Sequence, residues 1–343
     1  IQAVSGDSLN NQRVFNFEDV QALTPGVQLN KADARRQTIT MRGITADPDN
    51  IAAQPITVYW NEQAVRQQTA FTQVYDLERM EVLKGPQGTL QGKTSPGGAI
   101  MMYTKKANVD NIDGYVQQSF SDNSGSNTQF GVSLPIVEGV FGIRLAGVYD
   151  DNDGQDYENI TNGQKESHLS RSARLTMDWL ATDDLELSLT YQYIDNSDGS
   201  PEPISGTAGA GALAYFPSLP EKAYIAFGDF DPEDRVGFAE GETNVIVRND
   251  LVNLDVDWNF AGHTFTSVTG YNKFRQNAVL DRDRINVAPI PVEQTTITGI
   301  DLWTQEFRVQ PDEGAFNGFW DYTVGVYYEN SNSFTTNDVV AGV

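Results

Sequence analysis

The chain has 343 residues and carries 23 Lys and Arg against 47 Asp and Glu, a net charge of −24. That balance argues against nucleic acid as a partner, because binding phosphates takes surplus cations. With no Cys and only His168 and His263, disulfides, Cys nucleophiles, thiolate sites and His-rich metal centres are excluded, and neither a cofactor nor a metal site is expected.

Mean hydropathy is −0.42, and no apolar run approaches the ~18 residues of a spanning helix. A transmembrane β-barrel stays open, since its strands alternate between lipid and lumen and average out polar. Ile1–Asp7 has no basic n-region, apolar h-region or small-residue cleavage site, so it is not a signal peptide.

Residues 1 to 107 read as a compact mixed α/β unit. Phe17–Leu23 has the pattern of a short amphipathic helix, stopped by Thr24-Pro25-Gly26. Strands follow at Thr38–Met41, Ile56–Trp60 and Arg79–Leu83, then a turn-rich stretch at Gly85–Gly98, then a strand at Ala99–Tyr103.

From about residue 112 the period changes to two. Leu185, Leu187, Leu189, Tyr191 and Tyr193 share one face, with Glu186, Ser188, Thr190 and Gln192 on the other. The same alternation runs through Phe130–Leu134, Phe141–Leu145, Ala173–Trp179, Val252–Phe260 and Trp320–Tyr328. About nine strands are expected over 108–343, in an antiparallel sheet with one apolar face.

Connections at Pro135–Gly139, Ala181–Asp184 and Ala261–His263 are tight. Those at Asp150–Ser167, Asp195–Asn244 and Gln276–Gly299 are long and mostly acidic. Short turns at one rim, long loops at the other and aromatics near strand ends form the pattern of an outer-membrane barrel. A soluble β-sandwich alternates too, but loops of this length are uncommon there.

Glu78-Arg79-Met80-Glu81-Val82-Leu83-Lys84-Gly85-Pro86-Gln87-Gly88-Thr89-Leu90, continued by Ser95–Ile100 and Thr104-Lys105, closely resembles the plug signature of TonB-dependent outer-membrane receptors. Met41-Arg42-Gly43-Ile44, Leu23–Val27 and the strand motif Thr304–Val309 are similar to further parts of that family. Lys84 stands where the family usually has Arg, and Asn61-Glu62 where Asp-Gly is common, which leaves that hairpin's turn type open.

The resemblance implies a mixed α/β plug domain (1–107) followed by an antiparallel transmembrane β-barrel, here incomplete and open (108–343). The chain then reads as an internal part of a longer receptor, its TonB box and later strands lying outside it. It also implies that plug cations meet barrel carboxylates. By parity Glu306 points into the lumen, so Arg42 and Lys84 are the expected partners of a plug–barrel lock, against a Glu306–Arg308 or neighbouring-strand pair within the barrel wall. Tyr215, Phe216, Tyr224 and Phe227, on the longest loop, are candidate ligand contacts.

Other constellations fall short. Gly88–Thr94 has three residues between its glycines where a phosphate loop needs four. Aligning Gly154 with the sixth position of a calcium loop puts Tyr149 first and Ile160 twelfth, and neither supplies a carboxylate. No nucleophile elbow or His-Glu-x-x-His is present, so an enzyme is not expected.

The expected function is TonB-energised import of a scarce nutrient, most simply an iron–siderophore complex, across a Gram-negative outer membrane. The plug would face the periplasm and the long acidic loops the exterior. The expected partners are TonB, outer-membrane lipid with lipopolysaccharide, and a small-molecule ligand. A non-transporting surface binding or adhesion protein on the same fold, or a receptor for a cobalamin, glycan or aryl ligand, is the alternative.

Overall fold

The computed structural model describes residues 2–31, 37–46, 54–71, 74–88, 92–122, 124–154, 156–201, 206–207, 229–230, 234–237, 239, 241–281, 292–312 and 320–341. The plug begins with β1 (Gln2–Ser5) and α1 (Gly6–Asn11), where Ser5 Oγ accepts the Ser8 amide and caps the helix. Phe17–Leu23 tightens into a 3-10 helix, capped by Asn16 and Asp19. A three-stranded sheet follows: β2 (Val27–Lys31), β3 (Gln37–Met41) and β4 (Ile44–Ala46).

β5 (Ile56–Trp60), β6 (Gln63–Val65), β7 (Leu77–Lys84) and β8 (Gly98–Thr104) join β1 in a five-stranded mixed sheet of order β1-β7-β8-β5-β6, with α2 at Gln67–Ala70. β5 is β-branched and aromatic throughout and buried at every residue, as an interior strand covered on both faces should be. Phe17, Val20, Ile39, Met41, Ile56, Met80 and Ile100 form the plug core, which Ile194 and Leu251 of the following sheet extend.

That sheet has nine antiparallel strands in sequence order: β9 (Asp113–Phe120), β10 (Ser126–Val137), β11 (Phe141–Asn152), β12 (Ser167–Thr182), β13 (Leu185–Gly199), β14 (Asn244–Phe260), β15 (His263–Asp281), β16 (Val292–Pro311) and β17 (Val324–Ala341). It is open: β9 and β17 are its edges and do not pair with each other. The concave face is polar and lies against the plug, where Arg144, Arg174, Thr176, Gln192, Asn253 and Thr304 are all buried. The convex face carries exposed Phe130, Leu145, Trp179, Leu189, Trp303 and Phe307. Aromatic pairs Trp258–Phe260 (4.7 Å) and Phe265–Phe307 (5.9 Å) gather toward the tight-turn rim.

Two expectations are corrected. The last strand begins at Val324 rather than Trp320 and runs to Ala341. The segment taken as a long loop at Gln276–Gly299 is mostly strand, with β15 continuing to Asp281 and β16 starting at Val292. Its polar residues resemble a loop, but Ala278 and Leu280 face inward two positions apart and are buried. Cross-strand pairing meanwhile satisfies the backbone groups. At the long-loop rim, Glu158–Asn159 pairs in parallel with Val236–Gly237, and Gln164 exchanges two hydrogen bonds with the Thr243 backbone.

The outward face predicts a depth-dependent cost. Leu189→Arg, four residues above its tight turn, should destabilise the chain in lipid vesicles by about 2–4 kcal/mol, and Leu185→Arg at the rim by about 0–1 kcal/mol. Denaturant unfolding in vesicles measures both, and equal costs at the two depths would show a face turned to water.

Candidate functional site

The chemistry of this chain concentrates where the plug meets the concave face. Asp76 precedes β7 with φ of 50°, a left-handed conformation that Asp tolerates better than most residues. Its side chain is fully buried, and Arg144 of β11 grips it with a two-pronged fork: Nη2 donates to Oδ1 at 2.5 Å and Nε to Oδ2 at 2.9 Å. Arg174 of β12 closes the other side, donating to the Asp76 carbonyl at 3.0 Å and to Gln192 at 2.9 Å, with its guanidinium 4.6 Å from the Tyr75 ring. The fork fits because β10 has glycine beside it: a Cβ on Gly131 would lie 2.7 Å from Arg144 Nη2 and 2.9 Å from Asp76 Oδ1. Burial pushes the neighbouring Tyr75 hydroxyl up in pKa, against the pull of Arg174, and that hydroxyl bonds Ser172 at 2.7 Å.

A second contact lies at the tip of the β5–β6 hairpin. Asn61 and Glu62 have φ of 45° and 64°, the two left-handed positions of a type I′ turn, which settles its class. Glu62 forms an ion pair with Arg308 of β16, and the Asn61 carbonyl accepts from Asn253 at 3.0 Å. The hairpin sits flush on the wall because a Cβ at Gly270 would lie 2.3 Å from Gln63 Cδ. Lys93–Glu329 (2.6 Å) and Lys106–Glu186 (2.5 Å) are more exposed bridges at the same seam. Burial lowers the Lys106 pKa, but the adjacent Glu186 more than offsets this and the net shift is upward.

The expected trio of Arg42, Lys84 and Glu306 is not brought together in any ion pair among the described residues. Arg42 has φ of 49° and lies beside Gly85, where a Cβ would be 3.2 Å from its Nη1. Lys84 donates to Gln2 Oε1 at 3.0 Å and the Pro25 carbonyl at 2.5 Å, both within the plug. Glu306 is buried on the concave face, as parity required, and pairs with Arg308 of its own strand at 3.5 Å. The contacts with the deepest burial run with the opposite polarity, from wall arginines to plug carboxylates. Tyr215, Phe216, Tyr224 and Phe227 lie outside the described residues.

Two polar cavities flank this seam. One of about 620 Å³ lies toward the tight turns, lined by Glu62, Arg79, Lys106, Glu186, Asp255 and Arg308. The other, about 660 Å³, opens toward the long loops between the plug turn Arg13–Asn16 and Asn127, Asp150 and Arg235. Among the described residues, no group of three or more His, Asp or Glu is placed to hold a metal ion.

Sequence reading missed Asp76, Arg144 and Glu62. Arg144 did carry a signal: in β11 it is the one cation on the concave-facing parity of an otherwise small and apolar run, Gly142, Ala146 and Val148. Asp76→Asn should cost about 3–5 kcal/mol in denaturant unfolding, because it strands two buried guanidinium groups. Lys93→Ala at the exposed bridge should cost about 0–1 kcal/mol. A milder loss at Asp76 than at Lys93 would show that the fork does not hold the plug.

The comparisons agree with this architecture. The family profile described as "TonB-dependent Receptor Plug Domain" matches residues 1–99. The pesticin receptor of Yersinia pestis is 27% identical over 153 residues, covering 44% of this chain and 22% of that protein. The ferrioxamine B receptor of Salmonella typhimurium is 25% identical over 214 residues, 60% of this chain and 29% of that protein. Among solved structures, the ferric yersiniabactin uptake receptor of Yersinia pestis superposes with a TM-score of 0.79 at 16% identity, over 99% of this chain and 49% of that one. The ferric-catecholate import receptor Fiu of E. coli gives 0.72 at 18%, over 98% and 49%. The matched segments thus span between a fifth and a third of these curated relatives, and the chain spans about half of these solved receptors. Residues 1–99 thus match the TonB-dependent receptor plug domain, and the strands that follow share the fold of these solved receptors.

Proposed function

We propose that this chain is the plug and leading barrel part of an outer-membrane receptor that imports a scarce nutrient by TonB-dependent uptake, with a ferric siderophore as its cargo. The observation that carries the reading is the plug itself, docked by buried charge onto the polar face of a sheet whose other face is apolar. Such an arrangement closes a lumen while leaving a hydrated seam along which the plug can rearrange. A passive porin has no use for it.

The ligands named for the relatives support the class: ferrioxamine B, ferric yersiniabactin and ferric catecholates are all iron chelates. The larger cavity, at the long-loop end of the plug, is the entrance on this reading. The candidate loop aromatics Tyr215, Phe216, Tyr224 and Phe227 would complete it from above. Arg42 and Lys84 would then hold the plug's own turns in shape, and Glu306 would tune Arg308 within the wall. No chemistry is done on the cargo. The partner is an energy-transducing protein that engages a segment ahead of the plug.

Growth of a strain lacking the full-length gene, on defined iron chelates, cobalamins and glycans as limiting sources, tests the reading. Loss of growth on one or more ferric chelates, restored by the wild-type gene and not by one without its TonB-engaging segment, is the expected result. Unchanged growth on every iron source, with loss of surface attachment, would favour a non-transporting binding protein.

A further inference from the structure

The convex face is apolar over most of its height but carries a compact band of charge. Arg171 (β12), Asp195 (β13), Arg248 (β14) and Arg275 (β15) are successive cross-strand neighbours, and Lys273 lies beside Asp250 and Asp301 one step below. Three strand spacings make this patch about 14 Å wide. All these residues point outward, and the Arg171 and Arg248 side chains are 54% and 61% exposed.

Their height is set by the tight turns. Arg171 stands 11 residues above the end of β12 at Thr182, Arg248 12 above the end of β14 at Phe260, and Lys273 10 above the start of β15 at His263. On strands tilted about 45°, 9–11 residues cross the hydrocarbon layer. The cations therefore emerge at its far boundary, on the long-loop side. Just beneath them, Tyr191, Tyr271 and Trp303 occupy one cross-strand row, where an interfacial aromatic belt belongs.

The charges are only partly neutralised. Arg171 and Arg248 share the single carboxylate of Asp195 at 3.4 and 3.6 Å. Asp250 and Asp301 accept tyrosine hydroxyls from Tyr191 (2.8 Å) and Tyr271 (3.4 Å), and Asp301 also holds Arg275 at 2.9 Å. Lys273 has no ion-pair partner among the described residues. In a chain of net charge −24, a band with more cations than carboxylates is a local reversal of sign.

We propose that Arg171, Arg248 and Lys273 form a docking site for the phosphorylated head group of an outer-leaflet glycolipid, with Arg275 fixed by Asp301 as its frame. This rests on the outer-membrane reading above. The acyl chains of such a lipid lie along the aromatic and aliphatic rows below, and its phosphates meet the cations at the boundary, where Arg forks bind phosphate in two-point fashion.

The test uses the full-length receptor purified from outer membranes in detergent, with bis-phosphorylated lipid A as the probe. Phosphate-free lipid A and millimolar inorganic phosphate serve as comparison arms. Arg171→Gln, Arg248→Gln and Lys273→Gln are each expected to weaken lipid A binding about fivefold, while Lys165→Gln on the loop changes nothing. The phosphate-free lipid should bind the wild type no better than it binds the triple variant. Heat-modifiable gel mobility reports folding, and if the triple variant misfolds, the Lys273→Gln protein decides. Unchanged binding in folded variants overturns the proposal. Displacement of the lipid by inorganic phosphate overturns it as well, in favour of a free-phosphate site. Absence of the wild type from the outer-membrane fraction would instead sink the reading on which the proposal rests.

Discussion

A carboxylate cut off from water must be met by cations or it unfolds its surroundings, and Asp76 imposes that condition on three elements at once. Arg144 and Arg174 come from different strands of the wall, and their spacing fixes where the plug's β7 begins. Gly131 has no side chain because the fork needs its space, and Tyr75 lies in a cage of Arg174 and Ser172. Placing the plug is thus largely a matter of satisfying one buried charge. Such a group adds little net stability compared with an apolar pair, but it penalises any misplaced docking severely.

The sheet obeys a different constraint. Each strand divides two solvents, so residues on one parity must suit lipid and those on the other must suit a hydrated protein seam. Concave-face Thr, Gln and Asn are buried without forming an apolar core, because plug backbone and side chains supply their hydrogen bonds: Asn253 donates to the Asn61 carbonyl, and Asn272 Oδ1 accepts from the Thr69 hydroxyl. Asp178 Oδ1, Asp255 Oδ1 and Thr304 Oγ1 find no hydrogen-bond partner among the described residues, as expected where two polar surfaces meet with room for solvent between them.

Much of this was legible in the sequence. Period-two alternation marked the sheet and its two faces, and Ile56–Trp60 announced a strand by composition alone. The ion pairs were harder to read. Parity correctly sent Glu306 inward, but whether it meets Arg42 or Arg308 depends on how the plug is rotated inside the wall, which no local pattern encodes. Arg308, two residues along the same strand face, pairs with it at 3.5 Å. The strand within Gln276–Gly299 was hidden for a related reason: residues facing a hydrated lumen carry the same polar chemistry as residues of a loop.

The hairpin tip at Asn61-Glu62 shows local and global demands in competition. A type I′ turn favours glycine at its second position, and a glutamate held at φ of 64° pays in backbone strain. The wall, through Arg308, rewards the carboxylate. The plug released from its sheet and the plug seated in it therefore rank the same residue differently: with Glu62→Gly the free domain would gain and the docked one would lose. A side chain poorly suited to its own turn ties the hairpin's comfort to its being in place.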